Sequence, residues 1–348
     1  MKSKKPIALM VFDPHLTKDN CSLVSTLFDQ VFDAADDLGC STVMVGGDVF
    51  TSRSAQPLDV LAAWNAITAK ALNRHITLYV IPGNHDKTDP NATRSYLGVV
   101  DNNDAVILET GGEIALEGAT VVMIPYFGNE RWLEFYNQYP DYDDRTDHRF
   151  LLTHIAVEGV KNNDGSVVES DIKADLFEGY DAVFVGHYHN ASHVGEKVHY
   201  LGSMYQNNFG ETADDKGFTV LYSDGTWAHR PLEFPRYIRE TVDATDAESL
   251  RNLKERYAGE DYDHIRFVVR GKRADCEAIN ASELSALGIE VKFEPEETAA
   301  AMETAETPEQ LMNMSSKDIV HDFIDFCRVQ NIKGARMKEG LYMIKEQL

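Results

Sequence analysis

Three apolar runs, each followed by polar residues and separated by amphipathic stretches, fill the first 86 residues and constrain the fold more than any other feature. "PIALMVF" (6–12) reads as a buried strand. Over 22–38, "SLVSTLFDQVFDAADDL", Leu23, Leu27, Val31 and Leu38 fall near helical spacing, with Val24, Phe28, Phe32 and Ala35 beside them. Gly39 is placed to end that helix. "STVMVGGD" is the next strand. "PLDVLAAWNAITAKALN" is a second helix opened by Pro57, and "ITLYVIPGNHD" is a third strand. A β-α-β-α-β order predicts a mainly parallel sheet with helices packed outside it.

The middle of the chain is richer in strands. "TVVMIPYF", "RFLLTHIAV", "DAVFVGHYH", "KVHYLGS" and "GFTVLYS" are separated by Gly, Asp and Asn turns. The economical arrangement is an α/β fold in which two sheets pair and helices cover their outer faces. From residue 236 the pattern restarts: strand 237–242, helix 246–257, strand 264–270, helix 275–287 and strand 289–293. We read this as a small α+β cap domain. The expected boundaries are 1–232 for the main domain, 233–294 for the cap, 295–312 for a linker and 313–348 for a C-terminal helical segment. The linker, within "EPEETAAAMETAETPEQ", is acidic, alanine-rich and almost free of bulky apolar residues. Thr307-Pro308-Glu309-Gln310 and Ser315-Ser316-Lys317-Asp318 resemble capping boxes. After the second, Ile319, Val320, Phe323, Ile324 and Cys327 form one apolar helical face.

Composition narrows the possible roles. The chain has 348 residues, 43% hydrophobic and 26% charged, enough for two domains and a well-buried core. No apolar run reaches about 18 residues, so no membrane span is expected. The N-terminal apolar stretch is too short for a signal peptide and has no small-residue cleavage site. Cys21, Cys40, Cys276 and Cys327 form no CxxC pair, which fits a reduced cytoplasmic setting and argues against a thiolate zinc site. The net charge of −24, from 33 Lys+Arg against 57 Asp+Glu, repels nucleic acid at long range. A nucleic-acid role needs a local basic strip, divalent cations or a basic partner.

The chemistry-bearing residues cluster at predicted strand ends, where open α/β sheets build their sites. Asp13 and His15 follow the first strand, Asp48 the second, and Asn84, His85 and Asp86 the third; His154 ends "RFLLTH", and His187 and His189 end "DAVFVGH". If strand geometry persists, residues i and i+2 share a face, so Asp13/His15 and His187/His189 each aim two donors into one space. Glycines 46, 47, 83 and 186 permit close backbone approach. A donor set of Asp, His and Asn without Cys suits two divalent ions of the Mn²⁺, Fe²⁺ or Zn²⁺ type, with Asp48 able to bridge them. Two such ions about 3.5–4 Å apart activate a water and stabilise a phosphoryl oxygen. His85, beside Asn84, is left free to donate a proton to the leaving oxygen. Arg53 is placed either to touch a phosphate or to make a surface salt bridge. His75, His148, His193, His199, His229, His264 and His321 lack this context and are read as surface or structural.

With these residues assembled, the chain resembles the calcineurin-like metallophosphoesterases. Their series D-x-H, G-D, G-N-H-[DE], a lone H and G-H-x-H stands here as "DPH", "GGDVF", "PGNHD", "LTH" and "GHYH", over roughly residues 7–222. The resemblance implies one ion on Asp13, His15, Asp48 and His189, and another on Asp48, Asn84, His154 and His187. It implies His85 as the acid, with Asp86 behind the ligands. "GGDVFTSRSA", "YVIPGNHD" and "GHYHNASHVGEKVHYLGSMYQNNFGE" look most like the bacteriophage branch of the SbcD nuclease family. That likeness implies a cap domain, a homodimer through helices such as 22–38 and 57–73, and a C-terminal segment that docks on an SMC-like ATPase, SbcC. Cellular relatives place a histidine where this chain has Thr51. That departure puts the positioning of the DNA phosphate, and the balance of exonuclease to endonuclease action, in question.

The reading that follows is a two-metal DNA nuclease subunit, Mn²⁺-dependent with Mg²⁺, Fe²⁺ or Zn²⁺ as alternatives, cutting duplex ends and single strands in the cytoplasm, or the host cytoplasm if phage-encoded. Two rivals stand beside it. A small-molecule phosphodiesterase is favoured by the acidic balance and disfavoured by the cap and helical tail. A non-catalytic scaffold of the ATPase complex is disfavoured by the complete donor set.

Overall fold

The computed structural model describes residues 4–100, 104–140, 147–162, 165–211, 216–257 and 264–295. Among these, one compact unit holds the residues up to Ile238 together with His264, and a second holds Arg239–Tyr257 and Ile265 onward. The expected linker and the C-terminal segment, with Ile319, Val320, Phe323, Ile324 and Cys327, lie outside the described residues.

The larger unit opens with β1 (Pro6–Val11), α1 (Cys21–Leu38), β2 (Thr42–Val45), α2 (Leu58–Asn73) and β3 (Thr77–Val80). It continues with α3 (Tyr96–Val100), β4 (Val106–Ile107), β5 (Gly112–Leu116), β6 (Ala119–Ile124), α4 (Asn129–Tyr136) and β7 (His148–Thr153). A short 3₁₀ turn (Ala174–Phe177) leads to β8 (Ala182–Val185), β9 (Ser192–Val194), β10 (Val198–Tyr200), β11 (Gly217–Tyr222) and β12 (Trp227–Pro231). Two six-stranded sheets result, ordered β12-β11-β1-β2-β3-β4 and β5-β6-β7-β8-β10-β9. β1 through β4 are parallel neighbours, and so are β6, β7, β8 and β10 along the second sheet. The flanking strands pair antiparallel.

Strand alternation explains the layering. In β1 and just after it, Ala8, Met10 and Phe12 point between the sheets, where Met44 and Ile81 meet Val121, Met123, Phe150, Leu152 and Phe184. Leu9 and Val11 point the other way, with Val43, Val45, Leu78 and Val80, against Leu27, Phe28, Val31, Trp64 and Ile67 of α1 and α2. On the second sheet Val122, Ile124, Leu151, Val183 and Val185 pack with Trp132 and Phe177. Strands covered on both faces read as continuous apolar runs, which is why these segments are conspicuous in the sequence. The expected α/β two-sheet sandwich with flanking helices is the fold found. Helix α1 ends as its sequence dictates: Gly39 is left-handed (φ 62°), and Cys40 N–H closes back to Ala35 O at 2.9 Å.

The smaller unit contains most of β13 (Tyr237–Asp243), then α5 (Ala247–Tyr257), all of β14 (His264–Gly271) but its first residue, α6 (Arg273–Glu277), α7 (Ala281–Ser285) and β15 (Ile289–Pro295). Its sheet runs β13-β14-β15, with β14 and β15 parallel. The helix expected over 275–287 is two short helices instead. Asn280 interrupts it, because its side-chain oxygen accepts Glu283 N–H and starts a new helix there. Strands β4, β5, β9 and β12 were not anticipated; they are short, edge-like and only partly buried. No helix among the described residues is long and apolar enough to cross a membrane.

Candidate metal centre

The donors collect where parallel strands end. Asp13, Asp48 and Asn84 follow β1, β2 and β3 of one sheet, and His154 and His187 follow β7 and β8 of the other. The site draws on both sheets. One expectation is corrected here: the i, i+2 convergence does not come from continued strand geometry, because Asp13 (φ 51°), His15 (φ 47°), Asp48 (φ 51°) and His187 (φ 82°) are all left-handed. Non-glycine residues rarely adopt this region, and such strain collects at functional sites. Among the described residues, only His75 shares it, at the end of α2. Backbone bonds hold the turns in place: Asp13 N–H to Gly47 O (3.2 Å), His15 N–H to Asp48 O (3.0 Å) and Leu16 N–H to Val49 O (2.7 Å).

Two three-residue groups result, each with ligand atoms within 4.8 Å of one another: Asp13, His15 and His189; and Asp48, His154 and His187. In the first, the two Nε2 atoms of His15 and His189 face each other at 2.9 Å. In the second, the Asn84 carboxamide oxygen lies 2.8 Å from His187 Nδ1 and 3.1 Å from His154 Nε2. Asp48 Oδ2 stands between the groups, 3.7 Å from His15 Nε2 and 3.4 Å from His154 Nε2. His154 Nδ1 reaches Gly46 O at 2.9 Å, tying the second sheet to the first. The glycines have their expected use. A Cβ on Gly83 would fall 2.2 Å from Asp48 Oδ1, and one on Gly186 would fall 2.9 Å from His154 Nδ1.

Burial shapes the charges. It pushes His15 and His187 down to about 3, so both rings are neutral and offer lone pairs at neutral pH. Burial also opposes charge on His154, but the Asp48 and Asp13 carboxylates overcome it and raise that ring to about 9. Asp48 is buried too, yet His154 holds its carboxyl well below the usual carboxylate range. Burial raises Asp13. Buried carboxylates facing neutral imidazoles, with one ring recruiting a proton for them, form a donor set that calls for cations. It fits divalent ions of the Mn²⁺, Fe²⁺, Mg²⁺ or Zn²⁺ kind. His15 Nδ1, buried without a hydrogen-bond partner, is consistent with a network not completed by protein atoms.

His85 sits at the rim. Its backbone N–H donates to Asp48 Oδ1 (2.8 Å), and its Nδ1 lies 2.5 Å from Thr51 O, an acceptor. Nδ1 is therefore the donor to that oxygen. Arg53 Nη2 approaches that Nε2 at 3.3 Å. Thr51 turns its hydroxyl onto His15 O at 2.9 Å and touches the site chiefly through its backbone. Asp86 supports the scaffold: its carboxylate accepts Gly83 N–H (2.8 Å), Phe50 N–H (2.9 Å) and Val49 N–H (3.2 Å). Burial and the neighbouring Asp48 push it up to about 7 against those donors.

Several residues at the site carried no sequence signal of their own. Tyr126 stacks on His187 with ring centroids 5.9 Å apart. Glu211 accepts from His189 Nδ1 at 2.8 Å, and buried Lys216 pairs with it at 3.1 Å. Asn20 donates to both His15 O (2.9 Å) and Tyr205 Oη (2.7 Å). No spacing rule links these positions to their partners. From the donors a cavity of ≈ 580 Å³ runs, within the larger unit, past Thr51, Arg53 and His85 to Tyr205, Pro235, Tyr237 and His264. Tyr237 and His264 stack with centroids 4.0 Å apart.

Comparison with known proteins agrees with this geometry. The chain is 23% identical to "Putative phosphoesterase 244L" of Invertebrate iridescent virus 6 over 229 residues, which are 64% of this chain and 79% of that protein. Residues 13–191 match the calcineurin-like phosphoesterase family, a span that begins at Asp13 and includes the GHYH segment. That family's chemistry is metal-dependent hydrolysis of phosphoesters with two divalent ions. With just over half of its length inside the match, the chain belongs to the calcineurin-like phosphoesterases.

Proposed function

We propose that this protein is a two-metal DNA nuclease, cutting duplex ends as an exonuclease and single strands as an endonuclease, and that it serves as the nuclease subunit of an SMC-like ATPase complex in DNA repair or recombination. Asp13, His15, Asp48 and His189 would hold one ion; Asp48, Asn84, His154 and His187 would hold the other. When bound, the ions activate a water and neutralise charge developing on the phosphoryl oxygens. The chain's own groups do the rest. His85, fixed by Thr51 O through Nδ1, presents Nε2 as the acid that protonates the departing sugar oxygen. Arg53 is a donor to that same nitrogen, so it must swing away before Nε2 can hold a proton. A phosphate that draws off the guanidinium would release His85 for the reaction.

The observation that carries the nucleic-acid reading is the cavity's second half. It continues from the donors to the aromatic rings of Tyr205 and Tyr237. A phosphoester flanked by a planar, stacking group suits such a wall, and a base beside a scissile phosphate is such a group. The −24 charge favours the second reading, a small nucleotide phosphodiesterase, unless the ATPase partner supplies the DNA affinity.

The test is Mn²⁺-dependent cleavage of end-labelled duplex DNA beside a generic small phosphodiester, with wild type and His85→Ala. DNA cutting lost in the variant supports the nuclease reading. Turnover of the small ester alone, with or without the ATPase, supports the second. The partner proposal rests on the amphipathic pattern after residue 312, and equal capture of full-length chain and a 1–312 truncation by a coiled-coil ATPase would refute it. The homodimer proposal uses α1 and α2, the latter with Leu58 82% and Leu72 52% exposed, and sedimentation velocity tests it.

A further inference from the structure

The family match ends at residue 191, and beyond it Glu211 and Lys216 form a buried ion pair that needs an explanation. The side chains of Glu211 and Lys216 are both 0% exposed and sit 3.1 Å apart. A buried pair of this kind contributes little net stability, because desolvation consumes the Coulombic gain. Both members of this pair also bond to the same neighbour, His189. Glu211 Oε1 accepts from His189 Nδ1 at 2.8 Å and from Asn208 Nδ2 at 3.0 Å. Oε2 accepts from Asn207 N–H (3.1 Å), Ser203 Oγ (3.3 Å) and Lys216. Lys216 Nζ donates to the backbone oxygen of His189, and Ser203 N–H reaches that oxygen at 3.1 Å. Both the ring and the main chain of His189 are therefore held by one carboxylate–ammonium unit.

We infer that Glu211, held in place by Lys216, is the positioning residue that fixes the orientation and tautomer of His189, so that its Nε2 rather than its Nδ1 enters the donor group with Asp13 and His15. The geometry places the ring's hydrogen on Nδ1. Glu211 can only accept, so His189 Nδ1 carries a hydrogen, and the neutral ring then has its lone pair on Nε2, the atom that faces His15 Nε2 at 2.9 Å. A carboxylate behind a metal-bound imidazole is a recurrent way to hold such a ring, and losing it typically lowers metal affinity about 10–100-fold. The inference rests on the assignment of His189 as a ligand, and it does not depend on which phosphoester is cut.

Calorimetric titration with Mn²⁺ alone provides the test. Glu211→Ala/Lys216→Met removes the acceptor without leaving a lone buried charge, and Glu211→Gln/Lys216→Met restores a neutral acceptor. The expected result is one of two Mn²⁺ equivalents weakened about 10–100-fold in the first variant, the other unchanged, and partial recovery in the second. Two equivalents of wild-type affinity, or both weakened alike, would overturn the inference. ¹⁵N NMR of histidine-labelled wild-type protein loaded with Zn²⁺ gives an answer even where the variants do not fold. A protonated Nδ1 and a metal-shifted Nε2 on His189 support the inference, and the reverse tautomer overturns it. Neither measurement uses DNA, so failure of the nuclease reading leaves both outcomes interpretable.

Discussion

Individual side chains at this site are held by acceptors and donors that leave few alternatives. His85→Ala should reduce phosphodiester cleavage about 10²–10⁴-fold. Mn²⁺ stoichiometry should stay unchanged in calorimetry, because His85 contributes only its backbone N–H to Asp48. Gly83→Ala is expected to fail differently. Its Cβ would meet Asp48 Oδ1 at 2.2 Å and Asp48 N at 2.3 Å, so the turn must shift, at about 1–3 kcal/mol of strain, and metal binding should weaken along with stability. Glu211 provides a pH test. Burial opposes its charge, but the His189 hydrogen bond and Lys216 outweigh that and bring its carboxyl down from 4.5 to about 2. A carboxyl depressed in the folded state stabilises above its unfolded pKa, and that contribution is lost as pH falls from 4.5 toward 2. The metal-free wild type should therefore lose melting temperature more steeply across this window than Glu211→Gln/Lys216→Met.

At the level of elements, the ends of strands matter more than the strands. β7 stops at Thr153, whose hydroxyl donates to Ile124 O (2.8 Å) and accepts Trp132 Nε1–H (3.0 Å) from α4. This buried relay joins three elements one residue before His154. Thr153→Val keeps the shape but strands the indole donor, so it should cost about 1–3 kcal/mol in chemical denaturation. The strands themselves were legible because continuous apolar runs such as 182–185 are buried on both faces. The hairpin partners β5 and β12 were not, since they are half-exposed and their alternation is weak. Asn280 shows a further limit: one side-chain cap divides a helix that periodicity alone reads as continuous.

For the molecule as a whole, charge and metal should act together. Two buried carboxylates and the neutral imidazoles among them leave the folded site short of cations, so binding a divalent ion should stabilise the native state by linkage. Saturation at 100 times Kd corresponds to about 2.7 kcal/mol, visible as a rise in melting temperature reversed by chelation. With a net charge of −24, DNA binding by the isolated chain should be weak without metal and should fall further as salt rises, measured by fluorescence anisotropy.

The sequence by itself determined the α/β order of strands and helices and singled out the candidate donors, because each candidate lies just after an apolar run that reads as a strand. Spacing within a motif also marked His85 as lying beside the donors without belonging to them. Only the tertiary structure decided how the donors meet. Convergence depends on left-handed turns at Asp13, His15, Asp48 and His187, on strand ends from two sheets, and on long-range partners such as Glu211, 22 residues beyond His189. Contacts of that kind are set by packing between distant segments, and no local periodicity encodes them.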